Sequence, residues 1–350
     1  MPPREEYIKI LEGIWDRICL TNNGPLVQEL ERRLKSHLGV EDILYVTNGT
    51  MALQIAIKAL GLNGEIITTP FSHVSTSSSI VWQGCKPVFV DIDPNTLNVN
   101  PNLIEAAITR KTSAIVATHV YGNPCDIDAI RSIAEIHGLK VIYDAAHCFG
   151  TTYKGRSVFE FGDISTTSFH ATKVFHTVEG GAVFAKDKEL VKRMRYMINF
   201  GHSGLGAFNG VGINGKSSEF HAAMGLCNLK YIGRILKNRK KQCELYNKLL
   251  KELPVKTIVL EKHSVWNHAY YPLIFESEEM TIIAKNELEK NDIYPRRYFY
   301  PSLTELEYVE PFTCDNCDFI AKRVLCLPLY NTLTKKDQEF VSNILVSGIL

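Results

Sequence analysis

Ile43-Leu-Tyr-Val-Thr-Asn-Gly-Thr50 is a short apolar run that ends in a polar, glycine-bearing turn, and beyond it Leu53, Ile57 and Leu60 recur at the i, i+4, i+7 spacing of one helix face. A strand passing through Thr-Asn-Gly-Thr into a helix gathers backbone N–H groups and the positive end of a helix dipole at one point, which suits an anion. Outward from it, similar runs follow at Glu65-Ile-Ile-Thr-Thr69, Pro87-Val-Phe-Val-Asp91, Ala114-Ile-Val-Ala-Thr118 and Lys140-Val-Ile-Tyr-Asp144. Pro101 to Ala107 and Asp126 to His137 read as crossover helices between them. The alternation predicts an α/β fold built on a mostly parallel sheet. Ile164-Ser-Thr-Thr-Ser-Phe169 and Gly180-Gly-Ala-Val-Phe-Ala185 add two later strands joined by a polar loop.

From Ser217 to about Lys251, Phe220, Met224, Leu226, Leu229, Ile232 and Ile235 recur at helical spacing and predict one long helix leaving the first domain. The expected boundary lies near residue 236, giving a large domain over 1–235 and a smaller C-terminal α+β domain over 236–350. The latter holds Tyr270-Tyr-Pro-Leu-Ile-Phe275, a helix from Thr281 to Asn291, Val324-Leu-Cys-Leu-Pro328 and a closing helix from Lys335 to Leu350.

The 350 residues carry 39 Lys+Arg against 38 Asp+Glu, a net charge of +1, so there is neither the footprint of a nucleic-acid binder nor a polybasic membrane anchor. Nine scattered cysteines suit reduced thiols; the one C-x-x-C, Cys314 to Cys317, lacks the second pair a zinc site needs. Met1-Pro-Pro-Arg-Glu-Glu6 has no signal-peptide core, and Ile66 to Cys85, though uncharged, is too rich in Ser and Thr to span a bilayer. The expectation is a cytoplasmic protein. A nicotinamide-binding reading fails because the first strand leads into Thr-Asn-Gly-Thr and not G-x-G-x-x-G.

Three features carry chemistry. Asp144 ends an apolar strand, which places a carboxylate at the edge where open α/β sheets bind ligands. Lys173 lies in Ser168-Phe-His-Ala-Thr-Lys-Val-Phe-His-Thr-Val-Glu-Gly-Gly181, where the chain leaves one strand and returns in the next. An amine set among Phe169, Val174 and Phe175 loses solvation as an ammonium and becomes a nucleophile toward an aldehyde. A carboxylate 29 residues earlier can keep a pyridinium nitrogen protonated so that the ring acts as an electron sink. Gly49 and Thr50, with the Ser168 hydroxyl, offer the phosphate cradle.

This ordered set resembles the DegT/DnrJ-type sugar aminotransferases, pyridoxal-phosphate enzymes of the aspartate-aminotransferase fold (type I). The resemblance runs from Asn23-Gly-Pro-Leu-Val-Gln-Glu-Leu-Glu31 through Asn48-Gly-Thr-Met-Ala-Leu53, Pro87-Val-Phe-Val-Asp-Ile-Asp93, Asp144-Ala-Ala-His147, Gly162-Asp163, Ser168 to Gly181, and Gly212-Ile-Asn214 followed by Glu219-Phe-His-Ala-Ala223, to Leu327-Pro-Leu329. It implies pyridoxal 5'-phosphate as cofactor, Lys173 as its Schiff-base lysine, Asp144 on the pyridine nitrogen, and Gly49, Thr50 and Ser168 on the phosphate. His147 falls where the family has Gln or His beside the ring hydroxyl. Asn214 looks like the residue lent to the neighbouring subunit's phosphate site, which implies a homodimer with shared active sites. His73 departs from the pattern by standing where the family usually puts an aromatic side chain over the ring; the alternative is that His73 points away and Phe71 or Val74 meets the ring.

The implied reaction transfers the amino group of glutamate to a nucleotide-linked keto sugar. Ser72 to Gln83, Thr118 to Asp126 and Phe169 to Thr177 resemble the branch whose acceptor is dTDP-4-keto-6-deoxyglucose, in O-antigen synthesis. A 3-keto sugar, a UDP-linked sugar, and a sensor that binds without turnover are the alternatives. Lys216, Tyr298 and Tyr300 are candidate contacts to the sugar or diphosphate.

Overall fold

The structure, a computed structural model, describes residues 1–349; the last residue of the predicted closing helix, Leu350, lies outside the described residues. Its centre is a seven-stranded sheet of β1 (Leu44–Val46), β2 (Glu65–Thr68), β3 (Lys86–Phe89), β4 (Thr112–Thr118), β5 (Lys140–Asp144), β6 (Ile164–Ser168) and β7 (Gly181–Phe184), in the order β1-β7-β6-β5-β4-β2-β3. All pairings are parallel except the two made by β7, which runs against β1 and β6. The sheet is therefore mixed and mostly parallel, and the α/β expectation holds.

Successive side chains of a strand point to opposite faces, and a sheet covered on both sides fills both with apolar residues. Val141 and Tyr143 accordingly join one core with Tyr45, Ile67, Ile115 and Ala117. Ile142 joins the other with Leu44, Val46, Ile66, Ala114 and Val116. The helix Gly49–Ala59 covers the second face with Ala52, Leu53, Ile55, Ala56 and Ile57. Pro25–Leu38 and Glu219–Leu229 pack together over the first, and buried Glu219 accepts the Leu26 and Val27 N–H groups at 2.9 Å each, which caps Pro25–Leu38.

Two predicted elements come out differently. The single helix expected over Ser217 to Lys251 is two, Glu219–Leu229 and Ile232–Leu249. At the break, Tyr231 N–H turns back to Asn228 O (3.0 Å), while Lys230 Nζ (2.7 Å) and Tyr231 OH both donate to Glu6. Glu6, in the helix Arg4–Arg17, thus meets the chain at a join across which the apolar periodicity continues although the helix does not. The crossover over Pro101 to Ala107 is two single 3₁₀ turns, Pro101–Leu103 and Glu105–Ala107. Beyond the long helix, Val255–Lys256, Tyr271–Phe275 and Val324–Leu327 form a three-stranded antiparallel sheet, with Glu278–Glu289 and Lys335–Ile349 packed beside it around Leu273, Phe275, Leu288, Leu325 and Leu345.

Candidate active site

A cavity of about 390 Å³ opens at the carboxyl ends of β4 and β5. It is lined by Gly49, Thr50, His73, Asp144, His147, Ser168 and Lys173, so seven of the eight predicted site residues meet there. Asn214, the eighth, is exposed elsewhere on this chain, where its backbone pairs with Asn199. Of the candidate sugar contacts, Tyr298 lines the cavity. Lys216 instead lies over the Phe200 ring at 4.7 Å, and Tyr300 packs under Arg297 at 3.5 Å.

The loop that carries Lys173 is tied at both ends. Phe169 N–H donates to Gly180 O (2.8 Å), Thr177 N–H donates to Phe169 O (2.9 Å), and Lys173 N–H closes a turn on His170 O (2.9 Å). Phe169 and Phe175 anchor it, edge to face at 5.0 Å, with Phe149 stacked on Phe175 at 4.3 Å. These rings explain the apolar flanks of the motif: they fix the loop in the core and leave the amine in a poorly solvated site. Burial, opposed by the Asp144 carboxylate and assisted by the positive charge of Arg296, brings the Lys173 pKa down from 10.5 to about 8. About a tenth of the amine is thus unprotonated at pH 7, far more than for an ordinary lysine.

Asp144 is buried; its Oδ2 accepts from Thr76 Oγ1 at 2.8 Å and its Oδ1 from Ala146 N–H at 3.2 Å. His147 is buried too, against Tyr270 (4.6 Å) and parallel to Phe299 (5.8 Å). Burial first, then the charges of Lys173 and His73, hold the His147 imidazole well below its usual range, so it is neutral. Its Nδ1 is buried without a hydrogen-bond partner. His73 caps the helix Val74–Trp82: its Nδ1 accepts Ser75 N–H (3.2 Å) and lies 2.9 Å from Ser75 Oγ, leaving Nε2 as the protonated nitrogen of the neutral ring. Phe71, by contrast, is sealed between Tyr121 and Phe299, and neither it nor Val74 lines the cavity.

The open helix start at Gly49 and Thr50 is built by close backbone approach. Asn48 Oδ1 accepts Met51 N–H at 2.8 Å, so of the first helical N–H groups those of Gly49 and Thr50 stay open, at the positive end of the helix dipole. A Cβ on Gly49 would sit 2.9 Å from Ser168 Cβ, and one on Gly181 2.5 Å from the Asn48 carbonyl, so both glycines are needed to bring the helix start against β6 and β7. The second glycine of Glu179-Gly-Gly181 thereby gains a physical reason.

Several cavity residues escaped the sequence reading. Arg296 and Phe299 reach the site from the segment between Glu278–Glu289 and Val324–Leu327, Tyr270 backs His147, and Ser72 and Thr118 line the wall behind Asp144. A larger cavity of about 710 Å³ opens on the other side of Lys173, toward Arg239, Tyr270 and Tyr330. Lys173 and Arg296 line both.

A mixed sheet of this order, with a half-buried lysine and a strand-end carboxylate lining one cavity, defines an enzyme of the aspartate-aminotransferase fold. The chain belongs to the DegT/DnrJ/EryC1/StrS aminotransferase family, whose pattern matches residues 3–346. It is 45% identical to the dTDP-4-amino-4,6-dideoxy-D-glucose transaminase of Shigella dysenteriae, over 97% of this chain and 95% of that protein. It is 40% identical to the Escherichia coli protein of the same name, over 96% and 93%. Among solved structures it superposes on DesI, determined in the presence of its TDP-sugar product, with a TM-score of 0.93 and 34% identity, covering 99% of this chain and 90% of that one. No helix among the described residues is long and apolar enough to cross a membrane.

Proposed function

We propose that the protein is a pyridoxal-phosphate-dependent nucleotide-sugar aminotransferase that takes the amino group of glutamate and gives it to dTDP-4-keto-6-deoxyglucose, yielding dTDP-4-amino-4,6-dideoxyglucose for a surface polysaccharide such as O-antigen. The observation that carries the reading is the Lys173 amine, held at about 8 by burial, in one cavity with Asp144 and the open helix start at Gly49. The choice of acceptor rests on the two transaminases at 45% and 40% identity.

The residues present fit the cofactor. The unpartnered Nδ1 shows that the His147 ring keeps hydrogen-bonding capacity in reserve at the pocket, beside the ring hydroxyl's expected place. The cradle at Gly49 and Thr50, with Ser168, suits a phosphate dianion. When bound, pyridoxal phosphate supplies an aldehyde for covalent capture of amines and a ring that accepts the electrons released at the substrate carbon.

Lys173 Nζ would be the residue that holds the cofactor at its aldehyde carbon and, when its amine is free, the base positioned to take a proton from the substrate Cα and return it. Asp144 would face the ring nitrogen and hold its proton in place, His73 would pack against the ring, and neutral His147 would orient the ring hydroxyl. Arg296, at the junction of the two cavities, attracts the donor's carboxylate or the acceptor's diphosphate.

Residues 1–235 serve as the large, cofactor-binding domain and 236–350 as the small C-terminal domain. The working unit is a homodimer in which Asn214 completes the partner's phosphate site. Phe200, Leu205, Phe208, Val211 and Ile213 support this, since within 14 residues around Asn214 all five are exposed, Leu205 fully. The nine unpaired cysteines suit a cytoplasmic setting.

The test is to incubate the purified protein with pyridoxal phosphate, trap with borohydride and map the modified peptide, then assay glutamate with a panel of 3-keto and 4-keto sugars linked to dTDP or UDP. Trapping at Lys173 and amination at C4 of the dTDP sugar are expected. Amination at C3 or preference for UDP replaces the substrate, and cofactor binding without turnover of any sugar favours a sensor.

A further inference from the structure

Asp144 is held by more than its own strand. Thr76 Oγ1 donates to its Oδ2 at 2.8 Å, Ser72 Oγ lies 2.7 Å from Thr76 Oγ1, and Thr118 Oγ1 lies 2.9 Å from Ser72 Oγ. All four side chains are buried. The three hydroxyls come from separate elements: Thr118 ends β4 as the register partner of Asp144, Ser72 sits in the loop after β2, and Thr76 lies in the first turn of Val74–Trp82. Nothing local in the sequence brings them together.

The direction of the chain follows from counting protons. A carboxylate only accepts, so the one Thr76 hydroxyl proton goes to Asp144. Thr76 then accepts from Ser72, and Ser72 from Thr118. All three protons point toward the carboxylate, and bonds aligned head to tail polarise one another. A buried carboxylate is otherwise pushed toward its neutral acid, and each donor on it favours the ion.

We propose that Thr118, Ser72 and Thr76 form a positioning relay that holds the Asp144 carboxylate aimed at the cofactor ring, and so keeps the pyridine nitrogen protonated. The inference rests on the cofactor reading above. None of the three residues touches the reacting atoms; they act through Asp144. If the hydroxyls only satisfied one another, their loss would change stability and leave the ring nitrogen unaffected.

The experiment compares wild type, Thr76→Val, Thr76→Ser and Ser72→Ala, each stripped of cofactor and reloaded with pyridoxal phosphate labelled with 15N at the ring. The readouts are the cofactor Kd and the 15N resonance. Wild type is expected in the pyridinium range. Thr76→Val, which keeps the shape and loses the hydroxyl, should bind about 10-fold more weakly, the equivalent of about 1.4 kcal/mol, and its resonance should move toward neutral pyridine. Thr76→Ser should restore both, and Ser72→Ala should shift both the same way by less. An unchanged resonance in Thr76→Val, or a loss that Thr76→Ser fails to rescue, overturns the relay while the cofactor reading stands. Should Thr76→Val not fold, Ser72→Ala decides by the same two readouts. A wild-type protein that takes up no pyridoxal phosphate overturns the cofactor reading itself.

Discussion

Gly181 stands so close to Asn48 that a Cβ on it would lie 2.5 Å from the Asn48 carbonyl and 2.8 Å from Gly49 N. The strand returning from the lysine loop thus sets the position of the helix start that cradles the anion. Gly181→Ala is expected to push the two apart, destabilising the protein by about 1–3 kcal/mol and weakening cofactor affinity through the displaced N–H groups of Gly49 and Thr50. Gly233→Ala is the control: nothing lies within 4 Å of its added Cβ, and it sits in the helix Ile232–Leu249. It should leave affinity alone and stabilise by about 0.5–1 kcal/mol. Chemical denaturation and cofactor titration of both variants check the pair.

Lys173 should leave a signature in the stability of the cofactor-free protein. Its pKa is about 8 folded against 10.5 for a free side chain, so between those values the unfolded chain binds more protons. Stability therefore rises as pH climbs from about 8 toward 10.5 and carries a constant deficit below 8. Lys173→Met abolishes transamination, and without cofactor it should be about 1–2 kcal/mol more stable than wild type at pH 7, after discounting for partial solvent access. The advantage should fade above pH 8. Equal stability of the two proteins from pH 6 to 10 would refute the assigned shift.

Arg296 contributes to that shift after burial and against the opposing pull of Asp144. Replacing it with Gln removes a positive charge from beside the amine, so the pH midpoint for capture of pyridoxal phosphate by the free enzyme should move up from about 8. The KM for the nucleotide sugar should rise with it, since the same guanidinium lines both cavities. Stopped-flow capture rates across pH, with steady-state kinetics, read the two effects separately.

The predictions draw on different depths of legibility. Strands β2 to β5 could be read directly, because their apolar runs and intervening helix periods are local. Lys173, Asp144 and Gly49 could be read because each motif's chemistry is complete within a few residues. Arg296, Phe299 and Tyr270 could not: they reach the pocket from more than 90 residues beyond Lys173, brought there only by the tertiary fold. Ser72 and Thr76 lay hidden in a serine- and threonine-rich segment in which only the distance to Asp144 distinguishes them from their neighbours. The break at Lys230 and Tyr231 was equally invisible, since the apolar periodicity runs on across it and Glu6, which both side chains meet there, lies more than 220 residues earlier in the chain.

His73 separates two expectations for pH. Burial first, then the nearby charge of Lys173, lowers its pKa, so the ring stays neutral through the range where a free imidazole would charge. Cofactor affinity should accordingly be flat around pH 6.5 and fall only at lower pH, as protonation displaces the Ser75 N–H from Nδ1. His73→Phe removes that cap, at about 1 kcal/mol of stability, and should abolish the acid loss of affinity while improving stacking. Cofactor Kd measured from pH 5 to 8 in both proteins checks this, and an acid limb that persists in His73→Phe would assign it to another group.

The shared-site homodimer is open to a complementation test. Lys173→Ala lacks the nucleophile but retains Asn214; Asn214→Ala retains the nucleophile and, on the proposed shared-site reading, lacks the side chain its partner needs. Each homodimer alone should be impaired. If Asn214 acts across the interface, a mixed dimer holds one site with neither defect, and random re-pairing of equal amounts should recover roughly a quarter of wild-type activity. If Asn214 serves its own chain, each site in the mixed dimer retains one defect and activity stays at the mean of the two parents. Phe208→Asp, which puts a charge into the exposed apolar stretch around Asn214, should shift the protein toward monomer on sizing and reduce the recovery in parallel. Recovery that survives while sizing shows only monomer would place the shared residue in the wrong subunit.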